Sequence, residues 1–296
     1  MTSTRHLSFF LILGLFWGVS PSLYRHWGEI GMPVSHVILM TGFGVFVVLA
    51  LICHLRGIDW WGGRQLQLFG LGCAILMNIP FALGLIFARH VPPTELALII
   101  STAPIVNYLV ALLTGRENAA GRRLAAILLG FLSTIILVLT RKGMLSGEIS
   151  WWLIAAFSLP ILYSAYNWFA AIWWPPKTHA MAAGVAESFW GGVLAVPFFL
   201  LFAPPWSGEQ LPAAAYWTVL IACGMWIMER IAYFTLINEK GAVFTLQAVY
   251  LSTPAAVVIA LAFYGGADAW LFVAFAILMG ALYLNNTGSA ARPTSP

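Results

Sequence analysis

Apolar residues run in stretches of roughly twenty along the whole chain, each long enough to cross ~30 Å of hydrocarbon as a helix, with short polar segments between them. Ten spans are predicted, at 7–27, 34–54, 66–88, 93–114, 121–140, 150–173, 179–203, 214–237, 242–264 and 268–286. The third and fourth are divided only by Arg89, His90 and the Pro92–Pro93 pair. Those suffice, because charge-capable side chains sit badly in lipid and prolines withhold backbone donors. The first span follows Met1–His6 and shows no small-residue cleavage pattern, so it reads as retained. Residues 289–296 read as a disordered cytoplasmic tail.

The chain also resembles itself. At one constant offset Pro104 falls on Pro254, Gly115 on Gly265 and Gly130 on Gly280, and a slightly different offset sets Leu15–Ser20 against Ile161–Tyr166. The expectation is an all-α polytopic membrane protein with ten transmembrane helices in two inverted five-helix repeats, 1–142 and 143–288. An odd number of spans per unit makes the second copy enter the membrane from the opposite side. Two inverted copies can exchange slightly different conformations, which is the geometric basis of alternating access in secondary transporters.

Composition fits a lipid solvent. The sequence is 61% apolar and 8% charged, whereas a water-soluble domain carries about 25% charged residues. If the N-terminus is cytoplasmic, Arg5, Arg56, Arg64, Arg116, Arg122, Arg123, Lys177, Lys240 and Arg292 lie inside against Arg25, Arg89, Arg141 and Lys142 outside, nine against four. The positive-inside rule then places both termini in the cytoplasm, with the bacterial inner (plasma) membrane as the expected location. The net charge of +4 is therefore topological, since no basic cluster with interleaved aromatics marks a nucleic-acid partner. Cys53, Cys73 and Cys223 are too few and scattered for a disulfide framework or a metal knuckle. No Walker lysine, HExxH pair or aspartate deep inside a span is present, so enzyme chemistry, a metal and a cofactor are not expected.

Polar groups deep in spans are the informative residues. Glu187 falls near mid-membrane, where an ionised carboxylate costs at least ~2.5 kcal/mol unless paired or hydrated. Proton coupling is one use for it; a structural ion pair with Arg230 is the other. Glu229 and Arg230 form a second site. Being adjacent, they project about 100° apart and are expected to find partners on other helices rather than to share one narrow cavity. Glu229 is a second candidate for proton coupling, and Arg230 is the candidate for a solute carboxylate because its fork offers two donors. Trp17, Asn78, Asn107, Tyr163, Tyr166, Asn167 and Tyr250 are candidate cavity residues, with ordinary packing the competing reading for each. Pro21, Pro80, Pro104, Pro160 and Pro254 are candidate helix-bending or gating positions. Trp151, Trp152, Trp173, Trp174 and Trp206 fall at predicted span edges, where indole rings anchor at headgroups.

These segments resemble the drug/metabolite transporter superfamily, specifically proteins with two EamA-type domains. The resemblance rests on "GLFWGVSPSLY", "IISTAPIVNYLVALLTGRE", "LAAILLGFLSTIILVL", "VYLSTPAAVVIALAFYGGADAW" and "FAILMGALYL", and it extends over nearly the whole chain. It implies ten helices in an inverted repeat, cytoplasmic ends, and export of small metabolites such as amino acids or of amphipathic organic compounds, with protons as a candidate coupling ion. The family's proline-to-Gly-Glu pattern maps onto Pro104, Gly115 and Glu117 with Arg116 inserted; the second copy has Pro254 and Gly265, but Ala267 and then Asp268. The competing expectation is a membrane scaffold or assembly protein that transports nothing.

Overall fold

The computed structural model describes residues 4–113, 121–139, 150–202, 213–266 and 268–287. Every regular element among them is a helix: α1 (Thr4–Glu29), α2 (Val34–Leu55), α3 (Arg64–Phe87), α4 (Pro93–Ile100), α5 (Ala103–Leu113), α6 (Gly121–Leu139), α7 (Trp151–Ala156), α8 (Ser158–Ile172), α9 (Ala180–Phe202), α10 (Ala213–Leu246), α11 (Val249–Tyr264) and α12 (Ala269–Thr287). The predicted tail 289–296, and the positions Gly115, Arg116, Glu117, Arg141, Lys142, Trp206 and Ala267, lie outside the described residues.

Eight segments among the described residues are long and apolar enough to cross a bilayer: Thr4–Glu29, Val34–Leu55, Arg64–Phe87, Pro93–Val110, Trp151–Ile172, Ala180–Phe202, Ala215–Ala242 and Phe244–Tyr264. The predicted fifth and tenth spans contain shorter apolar helices, Leu124–Ser133 and Ala269–Leu284. The outer surface carries bulky apolar side chains such as Leu51, Leu128, Leu200, Leu220, Val258 and Phe263. The interior holds Glu187, Glu229, Asn107 and Asn167. Apolar outside and partly polar inside is the reverse of a water-soluble domain. The chain has the make-up of a multi-pass, all-helical membrane protein.

Two predicted spans are broken, and the sequence shows why. Proline lacks the N–H that would bond the carbonyl four residues earlier, and its ring crowds that carbonyl. α4 ends at Ile100, four residues before Pro104, and α7 ends at Ala156, four before Pro160. Pro104 and Pro160 thus sit in the first turn of the helix that follows, where a missing donor costs little. Polar side chains of α11 and α8 reach the break before Pro104: Thr253 donates to Ser101 Oγ at 2.7 Å and Ser164 to the Ala103 carbonyl at 3.1 Å. Pro21, Pro80 and Pro254 lie inside helices that continue through them. Gly241 turns the chain between the eighth and ninth predicted spans with φ of 80°, a backbone region that essentially only glycine enters.

The helices do not pack in chain order. α2 lies along α9, α1 along α11 and α6 along α12, while α3 contacts α8 and α9, and α10 contacts α1 and α2. α2 and α9 approach closely. A methyl group on Gly42 would stand 2.8 Å from the Gly192 backbone nitrogen and 2.9 Å from its Cα, so the two backbones meet with no room for a side chain. α6 and α12 are joined by Ser133, whose hydroxyl donates to the Ala274 carbonyl at 2.7 Å.

Candidate functional site

Where the inner helices converge they leave a central cavity of about 140 Å³. Each helix presents one face to it, and the spacing follows the helical repeat. α1 contributes Trp17, Ser20, Pro21 and Tyr24; α2 contributes Ile38, Thr41, Gly42 and Val45; α10 contributes Trp226, Glu229, Arg230 and Tyr233. Positions i, i+3, i+4 and i+7 form one stripe of an α-helix, which explains the regularity. Met77, Asn78 and Phe81 of α3, Tyr163, Tyr166 and Asn167 of α8, and Glu187, Ser188 and Gly191 of α9 also line it.

A charged cluster occupies one side. Arg230 Nη1 donates to Glu229 Oε2 at 2.9 Å, and Arg230 Nε stands 3.3 Å from Glu187 Oε2, an ion-pair distance without hydrogen-bond alignment. The Trp17 indole N–H donates to Glu229 Oε1 at 3.1 Å, and the Tyr166 hydroxyl to Glu187 Oε2 at 3.1 Å. Both carboxylates are almost fully buried, Glu187 at 2% and Glu229 at 4% exposure. Tyr233 extends the network by donating to Asn167 Oδ1 at 2.9 Å, and Asn167 Nδ2 donates to the Tyr163 carbonyl at 2.8 Å. The rings of Tyr166 and Tyr233 stack with centroids 5.2 Å apart.

The sequence-based expectation that Glu229 and Arg230 would not share a cavity is corrected here. Both line it, because the arginine side chain is long enough to fold back and reach the neighbouring carboxylate while its Nε faces α9. The other half of that expectation, partners on other helices, matches the contacts to Trp17 and Glu187.

The cavity brings together Trp17, Asn78, Tyr163, Tyr166, Asn167, Glu187, Glu229, Arg230 and Pro21 from the sequence-predicted set. It does not include Asn107, Tyr250, Pro80, Pro104, Pro160 or Pro254. The Asn107 side-chain oxygen is buried without a hydrogen-bond partner among the described residues, and Tyr250 directs its hydroxyl to the Leu282 carbonyl on α12. Asn78 spans α3 and α9, donating to the Gly191 carbonyl at 3.0 Å. Tyr24, Phe81, Trp226 and Tyr233 were missed in the sequence. The signal was present: Tyr24 follows Trp17 by two helical turns, and Trp226 and Tyr233 flank Glu229 at i−3 and i+4, on the same face.

The two ends of the cavity differ. Toward the start of α1 lies a buried apolar cluster that includes Leu13, Phe69, Ala183, Phe234 and Ile237. Nearer the start of α1, Arg5 and His6 pair with Glu239 near the turn after the predicted eighth span. Toward the end of α1, Tyr24, Trp27, Phe81 and Trp226 form an aromatic group with centroid separations between 5.1 and 6.4 Å. The Trp27 indole N–H donates to Thr218 Oγ1 at 2.9 Å.

No protein-family model matches the chain, and no curated protein matches it. Nineteen chains of solved structures resemble it. One, described only as the crystal structure of a protein, superposes with a TM-score of 0.60 over 96% of each chain at 16% identity, so the likeness is one of fold alone.

Proposed function

We propose that this chain is a secondary transporter that moves a small solute across the membrane by alternating access, most simply as an exporter in the drug/metabolite transporter superfamily with two EamA-type domains. The carrying observation is the central cavity whose polar wall includes the buried Glu187–Arg230–Glu229 cluster. Carboxylates are costly to hold at membrane depth and tend to mark solute or ion pathways. A scaffold gains nothing from a buried charged cluster facing a cavity.

The lining pattern supports the ten-helix reading with inverted repeats 1–142 and 143–288. Trp17, Ser20 and Pro21 of α1 and Tyr163, Tyr166 and Asn167 of α8 line the same cavity with the same spacing, in the segments that align in the sequence. The packing partners also come in matching pairs. Swapping the two proposed halves exchanges the α1–α11 contact with that of α8 against α4 and α5, and the α3–α9 contact with that of α10 against α2. It maps the α2–α9 and α6–α12 contacts onto themselves. An inverted repeat with a solute site at its interface has this arrangement. Basic-residue asymmetry supports cytoplasmic termini in a bacterial inner membrane. In this reading Glu187 and Glu229 are the groups through which a proton gradient couples to the cycle, by biasing one cavity state over the other.

Tracer counterflow in proteoliposomes tests the proposal. Saturable, trans-stimulated uptake is expected for a carrier. A scaffold gives none, and uptake that never saturates belongs to a pore.

A further inference from the structure

The cavity narrows the chemistry of the solute, an inference that rests on the transport reading. Glu187 and Glu229 share one guanidinium, yet they are not equivalent. Both oxygens of Glu229 are engaged, one by the Trp17 indole and one by Arg230. Glu187 Oε2 has Tyr166 and faces Arg230, but Oε1 is buried without a hydrogen-bond partner among the described residues. An ionised carboxylate oxygen only accepts, so in that state what completes this atom is a donor. With both carboxylates ionised the single positive charge of Arg230 balances one of them, so what completes the cluster in that state is also a cation.

The same geometry argues against the sequence-based expectation that Arg230 receives a solute carboxylate. Its guanidinium is already held between two acidic side chains, and an incoming carboxylate would face both at close range, where like charges cost several kcal/mol. The remaining wall favours a cation with an apolar body. Tyr24, Phe81, Tyr163 and Trp226 present rings to the cavity, and aromatic faces attract an ammonium while their surfaces bury hydrocarbon. At ~10–15 Å³ of such volume per water position, a cavity of 140 Å³ holds a solute of roughly ten non-hydrogen atoms.

We infer that the solute is a primary organic monoamine with a small aromatic or apolar body, its ammonium seated on Glu187 Oε1. Three probes sharing one phenol ring and differing in charge test this: tyramine, 4-hydroxyphenylacetate and tyrosine. Each is measured for self-exchange in proteoliposomes, and labelled tyramine is also measured for equilibrium binding to the purified full-length protein. Saturable tyramine exchange is expected, with 4-hydroxyphenylacetate at least tenfold slower. Glu187→Gln is expected to weaken tyramine binding at least tenfold with the thermal unfolding midpoint unchanged. Exchange of 4-hydroxyphenylacetate or tyrosine in preference to tyramine overturns the charge assignment and leaves transport standing. Tyramine binding without exchange of any probe keeps the cation site and removes the transport reading. Absence of tyramine binding to the unaltered protein, or unchanged binding in a folded Glu187→Gln variant, overturns the inference. Should that variant fail to fold, the probe comparison on the unaltered protein still decides.

Discussion

The two walls of the cavity are built alike and charged differently. The wall from α1, α2 and α3 offers Trp17, Ser20, Tyr24, Thr41 and Asn78, all neutral, whereas α9 and α10 supply Glu187, Glu229 and Arg230. Helix faces with matching spacing can carry unrelated chemistry, because the backbone repeat fixes where a side chain points and leaves its type free. Matching geometry on two sides of a cavity therefore does not require matching chemistry. The neutral wall still takes part in the cluster, since the Trp17 indole donates to Glu229.

Breaking the charged wall is expected to have the largest effect. Arg230→Met removes the cation shared by two buried carboxylates, and losing one partner of a buried ion pair costs about 3–5 kcal/mol. Thermal unfolding in detergent should show a large drop, with transport abolished. Glu187→Gln keeps the volume and deletes one charge. It should abolish the response of proteoliposome flux to an imposed pH gradient while leaving facilitated exchange of any solute that does not need the carboxylate. A full pH-gradient response in this variant would exclude Glu187 as the coupling group.

The seam between the walls comes next. Gly42→Leu forces a side chain against the Gly191–Gly192 backbone, and overpacking of this kind costs about 1–3 kcal/mol. A lower unfolding midpoint and a slower transport cycle are expected. Asn78→Leu, on the neutral wall, removes only the hydrogen bond to the Gly191 carbonyl, and such bonds between membrane helices average about 0.6 kcal/mol. If Asn78→Leu proved as damaging as Arg230→Met in the same unfolding assay, the contrast between the walls would be wrong.

Much of the helical framework was legible in the sequence because it depends on local properties. Apolar run length and turn-breaking residues located the segments, and the basic-residue asymmetry suggested their orientation. The breaks before Pro104 and Pro160 were less legible. Proline marked the positions, but Pro21, Pro80 and Pro254 are chemically the same and lie in continuous helices. Whether a proline splits a span depends on what packs against the freed carbonyl and which side chains bridge the gap, as Ser164 and Thr253 do before Pro104. The pairing of Glu187 with Arg230 was visible only as one of two alternatives. Asn107 and Tyr250, polar and beside repeat-related prolines, looked equivalent to the cavity residues and lie outside its lining.

The sequence by itself determined the solvent this protein is built for, the helical character of its segments, and the presence of a few ionisable groups too deep in them to be incidental. Those follow from side-chain hydration and from the need to satisfy every backbone donor within lipid, both of which act along the chain. Only the tertiary structure decided which face of each helix turns inward, that one arginine serves two carboxylates, and that one oxygen of Glu187 has no partner among the described residues. Such pairings join residues far apart in the chain, and they are set by how the helices pack rather than by any pattern within one of them.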